Sequence, residues 1–359
     1  MKNKSLILLA CAAFALASCG GKVSDTTRIE GSFEGTPSAK VIFKVPSSEE
    51  ITAAVSDGKF SAEIPACLVE QSEFKAGNIR SRFISDGTRL TVLVKKDNTV
   101  EFTSKSPKAS LQTRNAAFDA DLASLQKEYE ASLDTVKDNN PVSIDALADI
   151  FEAKASKKAL DYFNSNKDNF LGVRAVTFLK GLGNVKWNQV DSLIALLDPK
   201  VKENTTISSL SKLYSARKAT AEGMKFADLE VDGEKLSDYA GKGKYTLVHF
   251  TSSWGPAGSG SKKVFKALTE VSRKYAGDQL DIIGIAVSDK PKSYLDTAKV
   301  YGLDWKQLVK IQNIEPYAAY GFEYPPLVML LSPDGVILKR DLKADEIEAE
   351  VARYVKPKE

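Results

Sequence analysis

The sequence is poor in the side chains that most often carry chemistry. It has a single histidine, His249, and three cysteines, Cys11, Cys19 and Cys67. A zinc site built from His and Cys needs about four ligands, so none is expected. No EF-hand spacing of carboxylates is present either. Neither charge sign is in surplus, with Lys plus Arg at 50 and Asp plus Glu at 47. Binding to phosphates needs clustered excess cations, so nucleic acid is not an expected partner. No cofactor is expected. The one long apolar run, from Leu6 to Ala17, is shorter than the ~20 residues that span a bilayer. What remains is ordinary globular composition, 359 residues with 43% hydrophobic and 27% charged. It lies well above the disorder boundary and is long enough for two or three domains.

The apolar run belongs to a leader. Lys2 and Lys4 precede it and small residues follow it, the pattern of a secretory signal over residues 1–18. Leu16-Ala17-Ser18-Cys19 resembles a bacterial lipobox. That resemblance implies that Cys19 becomes the acylated (palmitate-bearing) first residue of the mature protein. Residues 19–27 then form a lipidated tether. Removing the leader lowers the basic count from 50 to 48 against 47 acids, so lipid rather than charge is expected to hold the protein to a membrane. The expected location is the cell envelope, facing the periplasm. Gly20 is compatible with sorting to the outer membrane. With Cys19 acylated, Cys67 has no intramolecular disulfide partner, and it reads as a small apolar residue packed inside.

The mature chain reads as three parts. Residues 28–105 alternate at the period of strands. Asp57-Gly58 between Ile51–Val55 and Lys59–Ile64 is a hairpin signal. About seven short strands in this stretch suggest an antiparallel β-sandwich. Residues 106–221 change to helical spacing, as in Phe118, Leu122, Leu125, Tyr129 and Leu133. This region reads as scaffold. Residues 222–359 alternate strand and helix. Tyr245–Phe250 and Leu280–Val287 are apolar runs of the kind buried on both faces of a parallel sheet. A helix is expected from about Lys262 to Tyr275, after a Gly-rich turn. Leu327–Leu331, a turn at Pro333-Asp334-Gly335, Val336–Leu338 and a terminal helix complete a β-α-β unit followed by a hairpin and a helix, the thioredoxin order. The fold class is thus multidomain, with an α/β thioredoxin-like C-terminal domain.

Particular residues strengthen that reading. Phe226-Ala227-Asp228-Leu229, Asp232-Gly233 and Leu236-Ser237-Asp238 resemble the entry segment of membrane-anchored thioredoxin-like proteins of the cytochrome-maturation (TlpA/ResA) type. Leu247-Val248-His249-Phe250 followed by Trp254 resembles the strand leading into their Trp-Cys-x-x-Cys site. Pro326, before Ser332 and Gly335, matches their cis-proline. The sandwich and helices resemble the N-terminal domain of unknown function that precedes this module in bacterial lipoproteins. The resemblance implies a thiol–disulfide oxidoreductase role, in cell redox homeostasis.

The catalytic sulfurs are missing. The segment reads Trp254-Gly255-Pro256-Ala257-Gly258-Ser259-Gly260-Ser261. Counting forward from Trp254 puts Gly255 and Gly258 at the two Cys positions. Counting back from Tyr275 puts Gly258 and Ser261 there, as if the loop were longer than usual. A serine hydroxyl cannot form a disulfide. His249 stands where relatives carry a buried acid. A Ser–His pair with Ser252, Ser259 or Ser261 lacks a visible orienting group. A peroxiredoxin (AhpC/TSA) reading lacks its peroxidatic Cys. Pro325 stands where the residue before the cis-proline would offer a backbone N–H to substrate, and it has none. A groove formed by Trp254, Pro256, Tyr324, Pro325 and Pro326 near His249 is left. The expectation is a redox-inactive domain that binds a protein or peptide partner. The alternative is an oxidoreductase that borrows a partner's thiol.

Overall fold

The computed structural model describes residues 24–106, 108–136 and 141–358. Cys19 and the residues 1–18 expected to form a leader lie outside them. The chain divides into two compact units, 1–184 and 185–359.

The first unit opens with eight strands: β1 (Thr26–Phe33), β2 (Lys40–Lys44), β3 (Ile51–Ala54), β4 (Lys59–Pro65), β5 (Ser72–Ala76), β6 (Ile79–Phe83), β7 (Arg89–Val94) and β8 (Val100–Ser104). They form two four-stranded sheets, β4-β1-β7-β8 and β3-β2-β5-β6. Inward residues of both sheets meet in one core around Phe43, Phe60, Phe74, Phe83 and Phe102. The expected all-antiparallel pairing is corrected at β1 and β7, which run parallel. The chain between them forms all four strands of the other sheet, so β7 can return in the direction of β1. Asp57 and Gly58 adopt positive φ, 49° and 70°, as a two-residue turn requires. The strands part after one rung and enter different sheets, so this turn is a corner rather than the tip of a hairpin. Cys67 is half-buried against the same core, and its N–H donates to the Ser85 carbonyl at 2.6 Å.

Three helices follow: α1 (Leu111–Leu133), α2 (Pro141–Asn164) and α3 (Phe170–Lys180). A buried carboxylate joins sheet to helix. Asp86 accepts from Thr88 N–H and O–H on one oxygen, and from Ser110 Oγ–H (2.7 Å) and Gln112 N–H (3.1 Å) on the other. Ser110 is the N-cap of α1, so Asp86 satisfies the cap and a free amide of the first turn together.

The second unit begins with α4 (Trp187–Ala195), α5 (Pro199–Lys202) and α6 (Thr205–Ala219). A small ribbon, β9 (Glu230–Val231) and β10 (Glu234–Lys235), leads into the main sheet. The remaining elements are β11 (Tyr245–Thr251), α7 (Gly255–Tyr275), β12 (Leu280–Ala286), α8 (Pro291–Tyr301), β13 (Lys306–Leu308), α9 (Glu315–Tyr320), β14 (Leu327–Leu331), β15 (Ile337–Lys339) and α10 (Ile347–Val351). Sheet order is β13-β12-β11-β14-β15, with the first three parallel and the last two antiparallel to their neighbours. The unit therefore has the thioredoxin-like arrangement. Alternate residues of β11 feed two cores, Val248 and Phe250 on one face and Leu247 on the other. Burial on both faces is why the strand reads as an unbroken apolar run.

The start of α7 is corrected from about Lys262 to Gly255. Glycine and serine have poor helix propensity, so this stretch reads as loop. Pro256 falls in the first turn, where its missing N–H costs nothing, and Trp254 is the extended N-cap. The extra residues lengthen the helix, not the loop.

α6 is built into this unit through α9. A Cβ at Gly321, the left-handed C-cap of α9, would lie 2.2 Å from the Leu213 carbonyl oxygen and 2.4 Å from Arg217 N. Beside it, the buried Arg340 guanidinium donates from Nη1 to the Thr220 carbonyl (2.7 Å) and from Nη2 to the Tyr320 carbonyl (2.9 Å). One cation thus closes the C-terminal ends of two helices, where the dipole favours it. Gly321→Ala combines backbone strain with overpacking. It should destabilise the unit by about 2–4 kcal/mol, read as a fall in urea midpoint at unchanged m.

Candidate functional site

β11 ends in Ser252-Ser253-Trp254, and three interactions fix the turn. Ser253 donates from N to Asp289 Oδ2 (2.6 Å) and from Oγ to Asp289 Oδ1 (3.0 Å). Asp289 is itself buried and also accepts from Lys290 N. The Trp254 indole N–H donates to the Ser288 carbonyl at 2.8 Å, leaving the ring 45% exposed. The third comes from Ser261, which is fully buried. Its Oγ accepts the Ser252 N–H at 3.2 Å and so ties α7 to the end of β11.

Pro326 approaches from the other side. The Pro325–Pro326 peptide is cis. A Cβ at Gly260 would come within 3.2 Å of Pro326 Cδ, so glycine sits where the second turn of α7 meets the proline. Tyr324 is 78% exposed, whereas Pro325 is buried. The structure thus brings Gly260 against Pro326 and Ser261 against Ser252. Trp254 and Tyr324 stand exposed on the flanking segments, and Pro325 is not part of the exposed rim.

His249 is fully buried and belongs to a polar chain running into the domain. Trp305 Nε1–H donates to His249 Nε2 at 2.9 Å. An indole N–H can only donate, so Nε2 carries no proton and Nδ1 does. Nδ1–H then donates to Thr251 Oγ1 at 3.2 Å. Thr251 O–H donates to Tyr294 OH at 3.0 Å, and Tyr294 O–H donates to Gln307 Oε1 at 3.1 Å. Every donor finds an acceptor with one direction throughout. The imidazole lies across Gly284, its partner on β12, where a Cβ would sit 2.8 Å from Nε2 and 1.9 Å from Gln307 Oε1. Burial lowers the His249 pKa to about 3.

This geometry removes the Ser–His pair. Both ring nitrogens are committed, and the Ser261 hydroxyl is engaged with Ser252 N–H. A neutral, doubly bonded histidine has no lone pair for a serine proton. Among the described residues no group of His, Cys, Asp or Glu could hold a metal ion, and no helix is long and apolar enough to cross a membrane.

Sequence reasoning missed Asp289, Trp305, Tyr294 and Gln307. Asp289 carries a local signal, a carboxylate two residues ahead of the Pro291 that opens α8. Trp305 carries none, because it meets His249 across 56 positions of chain. Two exposed apolar side chains were also missed, Ile311 and Ile314, 67% and 64% exposed. Their loop joins the Trp254 turn region through Ser288 N–H to the Asn313 carbonyl and Gln312 N–H to the Asp289 carbonyl.

Since this is the only histidine, its imidazole resonances are unambiguous. They should not titrate between pH 8 and pH 5. The unfolded chain takes up a proton below its ordinary value of 6.5, and the folded chain does not until about pH 3. Stability should therefore fall with acid across that window, by on the order of 1.4 kcal/mol per pH unit from this residue. His249→Gln should remove that component of the slope in urea titrations at stepped pH.

No family model matches the chain, and no curated protein matches it. Solved structures do resemble somewhat over a third of it. The C-terminal domain of a protein described as a thiol-disulfide oxidoreductase, from Bacteroides thetaiotaomicron, is 27% identical, with a TM-score of 0.34, over 37% of this chain and 95% of its own. The thioredoxin domain of a thiol-disulfide oxidoreductase from Bacteroides vulgatus is 19% identical, with a TM-score of 0.31, over 38% of this chain and 99% of its own. A protein described as thiol:disulfide interchange protein DsbE, from Chlorobium tepidum, is 17% identical, with a TM-score of 0.33, over 37% and 96%. The strand order of the C-terminal sheet, rather than these scores, carries the thioredoxin-like fold.

Proposed function

We propose that this chain is a lipid-anchored protein of the bacterial cell envelope whose thioredoxin-like domain binds or assembles with a protein or peptide partner and exchanges no electrons. Its anchor is an acyl chain on Cys19, and it faces the periplasm, from the outer membrane rather than the inner. One observation carries the reading. The unit has the thioredoxin-like strand order and α7 opens directly after Trp254, yet residues 185–359 contain no cysteine. Thiol–disulfide exchange requires an attacking thiolate and a second sulfur to resolve the mixed disulfide.

Binding is supported by what the turn presents. The Trp254 ring is held by its N–H and offers an apolar face at little entropic cost. Ile311, Ile314 and Tyr324 add exposed apolar surface on nearby or flanking segments.

The soluble chain from Gly20 should reduce insulin in dithiothreitol no faster than dithiothreitol alone, and clear turnover would overturn the reading. The helix start also fixes where sulfur would work. Gly255→Cys with Gly258→Cys places a thiol at the first helical position and another one turn later, where the dipole favours thiolate. This pair should gain insulin reductase activity, roughly tenfold or more over the parent.

A further inference from the structure

A second cavity lies in the same unit, at the opposite end of the sheet from the Trp254 turn. It has a volume of about 400 Å³, within the range of small-molecule sites. Its position follows from strand length. β12 runs from Leu280 to Ala286, but β13 pairs only with Ile283–Ile285. The first residues of β12 therefore extend past the last rung and form one wall. Trp305, Tyr239 and Lys306 face it from the start of β13 and the turn after β10, and Lys242 completes the rim.

Two properties make this a preformed site rather than a gap. The aromatic walls are fixed. Trp305 is held by its bond to His249, and Tyr239 donates from its hydroxyl to Glu234. Each charged side chain of the lining has a partner, a backbone amide alone in the case of Asp238, with one exception. Lys306 Nζ donates to Glu234 Oε1 at 2.8 Å and lies 5.3 Å from the centroid of the Tyr239 ring. Asp281 pairs with Lys244 at 3.4 Å, and Asp238 Oδ2 accepts the Lys235 N–H. Lys242 is exposed and has no ion pair or hydrogen bond among the described residues.

We propose that this cavity binds a small, flat, apolar molecule bearing one anionic group, its ring between Trp305 and Tyr239 and its anion on Lys242. Fixed walls lower the ordering cost of binding. Apolar contact supplies most of the affinity, and the single unpaired cation selects a monoanion over a neutral ring. Because the Trp305 N–H ends on His249 Nε2, an occupant that moves the indole changes the environment of the only imidazole in the chain.

The probe is naphthalene-2-sulfonate, titrated into the soluble chain from Gly20, with 2-naphthalenemethanol as its uncharged counterpart. Saturable binding should quench tryptophan fluorescence and shift the His249 Cε1–H resonance along the same curve. Lys242→Ala, a change at an exposed side chain, should weaken the sulfonate about fivefold and leave the alcohol unchanged, the size of one exposed ion pair. Binding that leaves the His249 resonance unmoved would place the probe elsewhere and overturn the proposal. So would equal affinity for the two probes, or an unchanged sulfonate affinity in Lys242→Ala. Failure here does not touch the redox-inactive reading, which is read by insulin reduction.

Discussion

An indole nitrogen can donate and cannot accept, and much of the C-terminal unit is ordered by that limit. Trp305 puts its one proton on His249, so the imidazole must carry its own on the opposite nitrogen. Thr251, Tyr294 and Gln307 then have no choice of direction. The chain crosses from β11 to α8 and β13, so a single tautomer fixes three elements. It requires Gly284, because any side chain there would occupy the space of the imidazole and the Gln307 amide. Unpaired groups at this depth would be costly, so the network is stable only when complete.

The same network defines the character of the candidate site above it. A thioredoxin-like scaffold with sulfur in place uses its buried polar residue in proton traffic near the thiols, as the family resemblance implies. Here His249 is saturated with hydrogen bonds and neutral at ordinary pH. The surrounding serines hold the structure. Ser261 accepts the first amide after the strand, and Ser253 is gripped by Asp289. Ser253 and Trp254 are thus each held by hydrogen bonds, which suits the recognition surface proposed above.

Much of this could be read from sequence because the strongest signals are local. The apolar runs of β11 and β12, the turn at Pro333–Gly335 and the order of elements all follow from short-range pattern. What escaped is non-local. The direction of β7 beside β1 depends on a path through another sheet. The parting of β3 and β4 after Asp57-Gly58 depends on which core each strand reaches. The helical start at Gly255 runs against the propensity of its own residues and is decided by contact with Pro326 and by Ser261. At the candidate site, the missing sulfurs and the position of Pro326 were visible, but the partner of His249 was not. No spacing rule connects residues 249 and 305.

The contact between α6 and α9 bears on where this unit can be cut. Sequence periodicity places a boundary near residue 222, where strands resume. A fragment starting there would strip the Thr220 carbonyl from Arg340 and uncover the tight seat at Gly321. The buried guanidinium would keep the Tyr320 carbonyl and Asp341 but lose its Nη1 acceptors at the end of α6. The physical beginning of the piece is Val185, so α4, α5 and α6 travel with the thioredoxin-like sheet as its own flank, not as a linker to be trimmed.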